Sequence, residues 1–351
     1  MAGVNSAVRR LARTCYVAGE DLPSFRRRFL AALRRTVPVD AAFFAAADPE
    51  TLLFTFAAAD EPLVEAAPLF LANEFGDEAD VNRFAVLARA RRGVATLDEA
   101  TRGRRSSSAR FREVIAPLAL GDELRVALRT GGVTWGFLCL HREGPGGFSP
   151  SEVAFVERCA EHAGEAIRRI VSEKLSITEP PSVAQVGVVI VDAEDLAVAI
   201  TDGASTLLEE LDDVVVKVGD PLPLPMRSVV RRLEALERGV SDESPTSRLL
   251  SRRGALLEIR AARLRSSGGR GQIAITVGTA SADARSGIKL SAYRLTPAQR
   301  RVAALVLQGR STLQIVGELG ISEYTVQDHL KSVFAKVGVA SRRELVAALL
   351  R

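Results

Sequence analysis

Four polar side chains stand close together in the stretch 320–338, GISEYTVQDHLKSVFAKVG: Tyr324, Gln327, Asp328 and Lys331. A glutamine can bond bidentately to adenine, an aspartate can accept from the cytosine amino group, and a lysine can donate to guanine O6 or N7. Asp328 is the most informative of the four, because phosphates repel a carboxylate unless it reaches a hydrogen-bond donor on a base. Each residue alone is more simply explained as part of a solvated polar face. Together they indicate a surface that enters the major groove of duplex DNA.

A single capped helix is predicted to carry these side chains. Ser322 is the expected N-cap, and Gly338 is the expected stop at the other end. The apolar residues between them repeat at helical spacing, so they would be buried and would leave the polar residues on the opposite stripe. Only three residues, 320–322, separate this helix from the preceding one, which is the spacing of a helix-turn-helix.

Helix start signals recur through the C-terminal part of the chain. The predicted capping pairs are Thr296–Gln299, Ser311–Gln314 and Ser341–Glu344. Four short helices cannot each enclose a core, so we expect them to share one. The predicted members of that core are Val302, Leu305, Val306, Ile315, Val316, Leu319, Val326, Leu330, Val333, Phe334, Val337, Leu345, Val346 and Leu349.

Positive charge is concentrated in this same region. From Ser291 onward the chain has nine Lys or Arg residues and four Asp or Glu residues, a net charge of +5. The whole chain has a net charge of +4, so the preceding 290 residues carry a net charge of −1. A localised basic surface favours a polyanion through phosphate contacts and counterion release. On charge alone, a solvated basic face is an equal alternative.

Composition excludes several other classes of protein. At 351 residues, 47% hydrophobic and 26% charged, the chain is typical of a soluble protein of two or three domains. No apolar run approaches the roughly 18 residues that cross a bilayer. Residues 1–21 have arginines with no apolar stretch behind them, so they are not expected to be a signal peptide. Cys15, Cys139 and Cys159 lack metal-ligand spacing, so we expect reduced thiols, a cytoplasmic location, no membrane partner and no metal site.

The first segment mixes helix and strand. Residues 25–37 repeat apolar side chains at helical spacing, and two β-rich runs flank a turn at Asp48-Pro49. Residues 123–142 are expected to form a hairpin across Gly131-Gly132.

A long helix should follow, with Ser149 and Glu152 as its capping box. Its apolar residues alternate in steps of three and four, which is typical of a coiled-coil seam. Packing on the domain's own sheet is the slightly preferred alternative to a dimer contact. The positions are Val153, Val156, Ala160, Ala163, Ile167 and Ile170.

Two breaks separate a middle segment from the rest. The prolines of 178–182 end the preceding helix, and 278–292 is small and polar, with little to bury, so a linker is predicted at 279–292. Between them, 186–201 predicts two strands, and 202–211 predicts a short helix. Residues 221–226, PLPLPM, predict a loop, and a long hairpin spans 255–278. Strands flanking helices on an antiparallel sheet make an α+β unit.

Two resemblances follow from these patterns. The order of elements, GFLCLHR with its following loop, and the capped terminal helix resemble a GAF domain. The run VVIVDAEDLAVAITDGASTLL is similar to the opening of a PAS domain, with Thr201 where that family often has Asn. We transfer no ligand contact from either family. A small molecule in one of these domains remains an expectation, and no cofactor is predicted.

The last segment, from LTPAQRRVAALVLQGRS to SRRELVAAL, resembles the LuxR-type DNA-binding domain almost end to end. The resemblance implies four-helix packing and use of the third helix to contact DNA. Gln299 stands where that family usually has Glu, and Val316 where it usually has Ala. The predicted DNA-binding residues are Tyr324, Thr325, Gln327, Asp328, Lys331, Lys336, Arg342, Ser311 and Thr312, of which Thr325, Lys336 and Arg342 would favour phosphates.

The histidines are expected to have no catalytic or ligand role. His329 would pack or bond a phosphate, His141 would lie at a strand end, and His162 would lie on a helix surface. No nucleophile with an adjacent base can be identified, so no enzyme is predicted. The chain also lacks a GxxxxGK[ST] phosphate loop, the acidic cluster of a receiver domain, and the aromatic-rich pocket of acyl-homoserine-lactone sensors.

The predicted fold class is therefore two α+β sensor domains, GAF-like and then PAS-like, followed by an all-α four-helix unit. The predicted divisions are 1–21, an N-terminal segment; 22–175, GAF-like; 183–278, PAS-like; 279–292, linker; and 293–351, helix-turn-helix. The sequence predicts a one-component transcription regulator that binds double-stranded DNA as a homodimer and interacts with RNA polymerase. Two alternatives stay open, namely a sensor of a small molecule or haem, and a protein-interaction regulator with little direct DNA binding.

Overall fold

A computed structural model describes residues 2–76, 80–177, 186–211, 216–265 and 271–350. The first unit is built on one sheet with helices on both faces. Its helices are α1 Ala2–Thr14, α2 Leu22–Arg34, α3 Ala67–Phe75, α4 Phe84–Arg89, α5 Leu97–Thr101 and α6 Pro150–Ile177. Its strands are β1 Ala41–Ala47, β2 Phe54–Ala59, β3 Val94–Thr96, β4 Leu120–Thr130 and β5 Val133–Glu143.

The first sheet is antiparallel with strand order β2-β1-β5-β4-β3. The predicted hairpin is confirmed as β4 and β5, whose end residues Thr130 and Val133 pair. Gly131 and Gly132 form the turn with φ of 57° and 75°. Glycine suits both positions because side chains disfavour that left-handed backbone.

The long helix α6 packs on the sheet of its own chain. Its predicted cap is present: the Glu152 amide donates to Ser149 Oγ at 3.3 Å, and the Ser149 amide donates to Glu152 Oε2 at 2.8 Å. The predicted apolar stripe lies in the core that α6 shares with β4, β5, α1 and α2. Since that core covers all six stripe residues, a coiled-coil seam at these positions is wrong for this structure, and packing on the sheet is confirmed.

The middle unit repeats the strand order of the first. Its elements are β6 Val186–Val191, β7 Ala197–Ile200, α7 Asp202–Glu209, α8 Leu224–Glu237, β8 Thr246–Leu250, β9 Leu256–Arg263 and β10 Ile273–Thr279. The sheet is antiparallel with order β7-β6-β10-β9-β8. Thr201 caps α7 by accepting from the Ala204 amide at 3.3 Å. The predicted α+β unit is confirmed.

Two elements of the middle unit were missed. Helix α8 begins inside the run 221–226, which was predicted to be wholly loop, because Pro225 sits in the first turn, where a missing amide costs nothing. The edge strand β8 was not predicted because its residues, TSRLL, do not alternate clearly between apolar and polar. The predicted breaks at 178–182, and the tip of the last hairpin at 266–270, lie outside the described residues.

The first unit and the middle unit pack directly against each other. Leu53, which precedes β2, is fully buried in the apolar core of the middle unit. The Arg248 amide donates to Asp48 Oδ2 at 3.1 Å, and Ser247 Oγ donates to the Phe54 carbonyl at 3.4 Å. The first bond joins β8 to the residue that follows β1, and the second joins the edge strands β2 and β8.

The predicted linker is a packed helix, α9 Ala282–Ala292, capped by Ser281. Ala292 enters the core of the first unit, Leu290 enters the core of the C-terminal unit, and Ile288 packs with Leu175 and Leu256. The expectation that this segment has little to bury is wrong, because small side chains become buried where three units meet.

The C-terminal unit contains α10 Pro297–Leu307, α11 Thr312–Leu319, α12 Glu323–Val337 and α13 Arg342–Leu350. The predicted shared core is confirmed, with eight of its members fully buried and the rest packed against them. Both Thr296–Gln299 and Ser311–Gln314 form complete capping boxes. In the parts of the chain that the structure describes, no helix combines the length and apolar character needed to span a membrane.

Candidate nucleic-acid interface

Helices α11 and α12 form the helix-turn-helix predicted from the sequence. The turn begins at Gly320, whose φ of 64° lies in the left-handed region that ends a helix. Ser322 then caps α12 by accepting from the Thr325 amide at 3.1 Å. This pair of caps fixes where α12 starts, and therefore which residues occupy its first two turns.

The predicted stripe on α12 is exposed. Val326 and Leu330 are buried against α10 and α11, which turns Gln327, Asp328 and Lys331 to solvent. Tyr324 is 84% exposed, a high value for an aromatic side chain. These four side chains have no hydrogen-bond or ion-pair partner among the described residues of the chain. Their polar groups are therefore available to another molecule.

The remaining predicted contact residues are partly engaged within the chain. Thr325 Oγ1 lies 2.8 Å from Ser322 Oγ, and Ser311 Oγ accepts from the Gln314 amide at 3.3 Å. Thr312 is half-buried at the start of α11. Ser311, Thr312 and Thr325 thus lie at the amino ends of the two helices, where backbone N–H groups also favour an anion.

Two predicted phosphate contacts have partners inside the unit. Lys336 Nζ donates to the Arg294 carbonyl at 2.8 Å and to Gln299 Oε1 at 2.9 Å. Arg342 donates to the Arg310 carbonyl. A phosphate contact from either residue would have to replace or share these bonds, a constraint that sequence analysis missed.

His329 and His162 lie where they were predicted. His329 is half-buried between the apolar and polar stripes of α12. The Nδ1 atom of His162, on α6, lies 3.1 Å from the Tyr16 hydroxyl.

His141 lies near the end of β5, as predicted, but it is buried there in a polar cluster of the first unit. Its Nε2 lies 3.1 Å from Cys139 Sγ, and Cys139 Sγ lies 3.2 Å from Glu123 Oε1. Burial lowers the pKa of His141 to about 4, so the ring is neutral. The cluster draws residues from several elements, so local sequence patterns gave no signal for it.

Two arginines surround Glu123. Arg110 Nη2 lies 2.7 Å from its carboxylate and Arg125 Nε lies 3.0 Å from it. Burial alone would raise the pKa of Glu123, but the two guanidinium groups outweigh burial and hold it well below its usual range. Arg125 also pairs with Glu74 at 2.7 Å. Glu123, Cys139 and His141 could offer three ligand atoms to a cation, but the two arginines already neutralise Glu123 and oppose a further positive charge.

The sensor and the C-terminal unit meet at a second polar cluster. Glu165 on α6 accepts from Arg168 at 2.8 Å and lies 3.0 Å from Arg294, just before α10. Ser286 Oγ on α9 donates to the Leu349 carbonyl at the end of α13 at 3.0 Å. The helix-turn-helix unit is thus attached to the rest of the chain near both of its ends.

Four helices sharing one core, with an exposed polar face on the third, define the helix-turn-helix class. The model of the luxR family of bacterial regulatory proteins matches residues 293–349, and the GAF domain model matches residues 21–167. The chain belongs to the luxR family, and its N-terminal unit is a GAF domain.

Individual relatives agree over the C-terminal unit. The spore germination protein GerE of Bacillus subtilis is 42% identical over 57 residues, which cover 16% of this chain and 77% of GerE. A Mycobacterium bovis protein named as an HTH-type transcriptional regulator is 50% identical over 52 residues, which cover 15% of this chain. The match spans only 6% of that relative's length.

The fold of the chain also resembles a solved domain from Sinorhizobium meliloti, which is described as part of a two-component sensor histidine kinase. The aligned region covers 46% of this chain and 100% of that domain. It is 18% identical, with a TM-score of 0.33.

Proposed function

We propose that this chain is a sequence-specific DNA-binding transcription regulator whose sensor units control its C-terminal helix-turn-helix. The observation that carries the proposal is the exposed stripe of α12, where Gln327, Asp328 and Lys331 have no partner among the described residues. An amide, a carboxylate and an ammonium in the first turns of such a helix match the donors and acceptors of base edges. Family membership of residues 293–349 supports the same conclusion.

The surrounding charge and caps suit a duplex. Lys336, Arg342 and Arg343 lie within or after α12, and the amino ends of α11 and α12 point backbone N–H groups outward. Phosphate contacts from these groups would fix the position of α12, while the stripe would select the bases. A regulator of this kind would act in the cytoplasm, where it would meet its DNA, and DNA binding itself would require no catalysis by this chain.

Control by the sensor would pass through α9 and the Glu165–Arg294 pair. Helix α9 packs on α6 of the GAF domain and on α10 and α13 of the helix-turn-helix unit. A signal that shifts α6 would therefore shift the DNA-binding unit as a body. In a homodimer this movement would set the distance between two copies of α12, and thereby favour or disfavour a two-fold related operator. RNA polymerase is the expected downstream partner.

The middle unit is proposed to be a PAS-like domain. Its antiparallel sheet has the same strand order as the GAF sheet, and Thr201 takes the capping position at the start of α7. Leu53 of the GAF domain is part of its apolar core. This unit would therefore move with the GAF domain, and we assign it a coupling role.

Selection from a random pool of duplex DNA tests the proposal. The full chain should enrich a two-fold related site. Fluorescence anisotropy at fixed salt should then give a Kd for that site at least roughly 10³-fold lower than for a scrambled duplex. Equal affinity for both duplexes would contradict sequence-specific binding. A footprint over one half-site only would contradict the dimer.

A further inference from the structure

A cavity of about 480 Å³ lies where the GAF domain, α9 and α10 meet. The start of β5 in the GAF sheet contributes Thr134, α9 contributes Ser291, and α10 contributes Arg300 and Arg301. Small-molecule sites in proteins usually have volumes of about 300–1,000 Å³. The cavity is therefore large enough for a small organic ligand, and it adjoins both sensor and DNA-binding unit.

Two arginines give this cavity surplus positive charge. Among the described residues, neither Arg300 nor Arg301 has an acidic partner. Arg300 Nη1 is buried without a hydrogen-bond partner, and burial lowers the pKa of Arg300. A guanidinium N–H that loses water without gaining an acceptor is costly, and an anion that draws the Arg300 side chain into the cavity would remove that cost.

The other charged side chains at the cavity are already paired. Arg89 pairs with Glu243, and Glu50 pairs with Arg248 at 2.5 Å. They therefore leave the charge of Arg300 and Arg301 uncompensated. The hydroxyls of Thr134 and Ser291 line the same space and can hydrogen-bond to a ligand.

We infer that this junction cavity binds a small organic anion through a phosphate or carboxylate group held by Arg300 and Arg301. Two guanidinium groups suit either anion, because each presents a fork of N–H donors with matching geometry. The rest of the ligand would contact the GAF hairpin and α9. Occupancy would stabilise the arrangement of the sensor and α10 seen here, a consequence that rests on the proposed function.

Calorimetric titration of the full chain, in the absence of DNA, tests the site directly. Inorganic pyrophosphate and citrate serve as the phosphate and carboxylate probes. At least one should bind saturably with a stoichiometry of one, and the preferred probe identifies the anionic group. Trp135, the single tryptophan of the chain, follows Thr134 and offers an independent fluorescence readout.

Arginine substitutions provide the specificity control. Arg300→Gln and Arg301→Gln should each raise the Kd on the order of tenfold or more, because a hydrogen bond to a charged group contributes that much. Arg301 is exposed, so its variant keeps the test valid if Arg300→Gln folds poorly. Arg10→Gln, at an exposed arginine on α1 that does not line the cavity, should leave the Kd unchanged.

Two results would overturn the inference. One is the absence of binding by both probes at millimolar concentration. The other is an equal loss of binding in Arg10→Gln, which would mean an adventitious ion on a basic surface only. Since no DNA is present, either result leaves the proposed DNA-binding function untouched, and failure to enrich an operator would not bear on the cavity.

Discussion

Glu165 in the GAF domain and Arg294 at the entrance to the helix-turn-helix unit lie 3.0 Å apart, carboxylate oxygen to guanidinium nitrogen. The Glu165 side chain is only 5% exposed, and Arg168 of the same helix also binds it. The carbonyl of Arg294 in turn accepts from Lys336 on α12. One buried carboxylate thus connects the long sensor helix to the helix that is proposed to contact bases.

Acid should weaken this connection. Burial alone would raise the pKa of Glu165, but Arg168 and Arg294 lower it to about 2, below its ordinary value of 4.5. A carboxylate with a depressed pKa stabilises the fold fully above its unfolded-state pKa. That stabilisation is lost as pH falls from about 4.5 to about 2. We expect Glu165→Gln to lower the free energy of unfolding at neutral pH by on the order of 2 kcal/mol.

Urea denaturation of wild type and Glu165→Gln, from neutral pH down to about pH 3, measures this difference. The difference in free energy of unfolding between the wild type and Glu165→Gln should become smaller as the pH falls. Glu161→Gln is the matched control, because Glu161 is exposed on the same helix without an ion pair among the described residues. A difference in free energy of unfolding that does not change with pH would contradict a stabilising role for the ionised Glu165 carboxylate.

Lys331→Ala should weaken operator binding and relax base preference at one position. A bidentate contact to a base contributes about 1–3 kcal/mol of discrimination. Anisotropy titrations with the selected operator and with single-base variants measure both effects. Lys217→Ala removes an equal charge from an exposed site in the middle unit and should leave binding unchanged. Unchanged affinity in Lys331→Ala would mean that another face of α12 contacts the groove.

Lys336→Met should lower affinity evenly across DNA sequences. Removing one phosphate contact should also reduce the salt slope of log affinity by about one. Because Lys336 also bonds the Arg294 carbonyl and Gln299, the variant should lose some thermal stability as well. A Kd series over salt concentration, together with a melting curve, separates the two roles. Lost stability with an unchanged salt slope would assign Lys336 to the junction alone.

Local patterns predicted much of this molecule. The caps at Ser149, Thr296, Ser311 and Ser322 were identifiable because a cap depends on residues three positions apart. The stripe on α12 was identifiable for the same reason, since helical periodicity assigns buried and exposed faces together.

Long-range contacts were not predictable in this way. Nothing local to α9 indicates burial, because its small side chains are covered only when the sensor and the C-terminal unit close around it. The ion pair of Glu123 with Arg110 depends on the sheet and the short helical segment at 109–115 coming together. The partners of Lys336 come from 42 and 37 residues earlier in the chain.

Gly320→Ala should destabilise the helix-turn-helix unit by roughly 1 kcal/mol. A Cβ at this position would meet no atom within 4 Å, so the cost is confined to the left-handed backbone at φ 64°. Gly317→Ala is the matched control, because Gly317 lies within α11 and its added Cβ also meets nothing within 4 Å. There alanine should stabilise the helix by about 0.5–1 kcal/mol. Thermal melts should thus shift in opposite directions, and shifts of the same sign would contradict the assigned turn.

Glu123→Gln should destabilise the GAF domain strongly. Two buried guanidinium groups would lose their shared carboxylate, and removing one partner of a buried ion pair costs about 3–5 kcal/mol. Chemical denaturation followed by circular dichroism measures the loss. Glu143→Gln, at the exposed end of β5, should change stability little. A loss in Glu123→Gln as small as in this control would mean that the two arginines find other acceptors.

The position of Leu53 bears on how the protein can be dissected. This leucine belongs by sequence to the GAF domain, yet its side chain fills the interior of the following unit. A fragment ending at residue 175 would expose Leu53 to water. A fragment starting at residue 186 would lack the side chain of Leu53 in its apolar core. Expression of the two halves as separate proteins should therefore give poorly soluble products, whereas a truncation that keeps 1–279 together retains the contact.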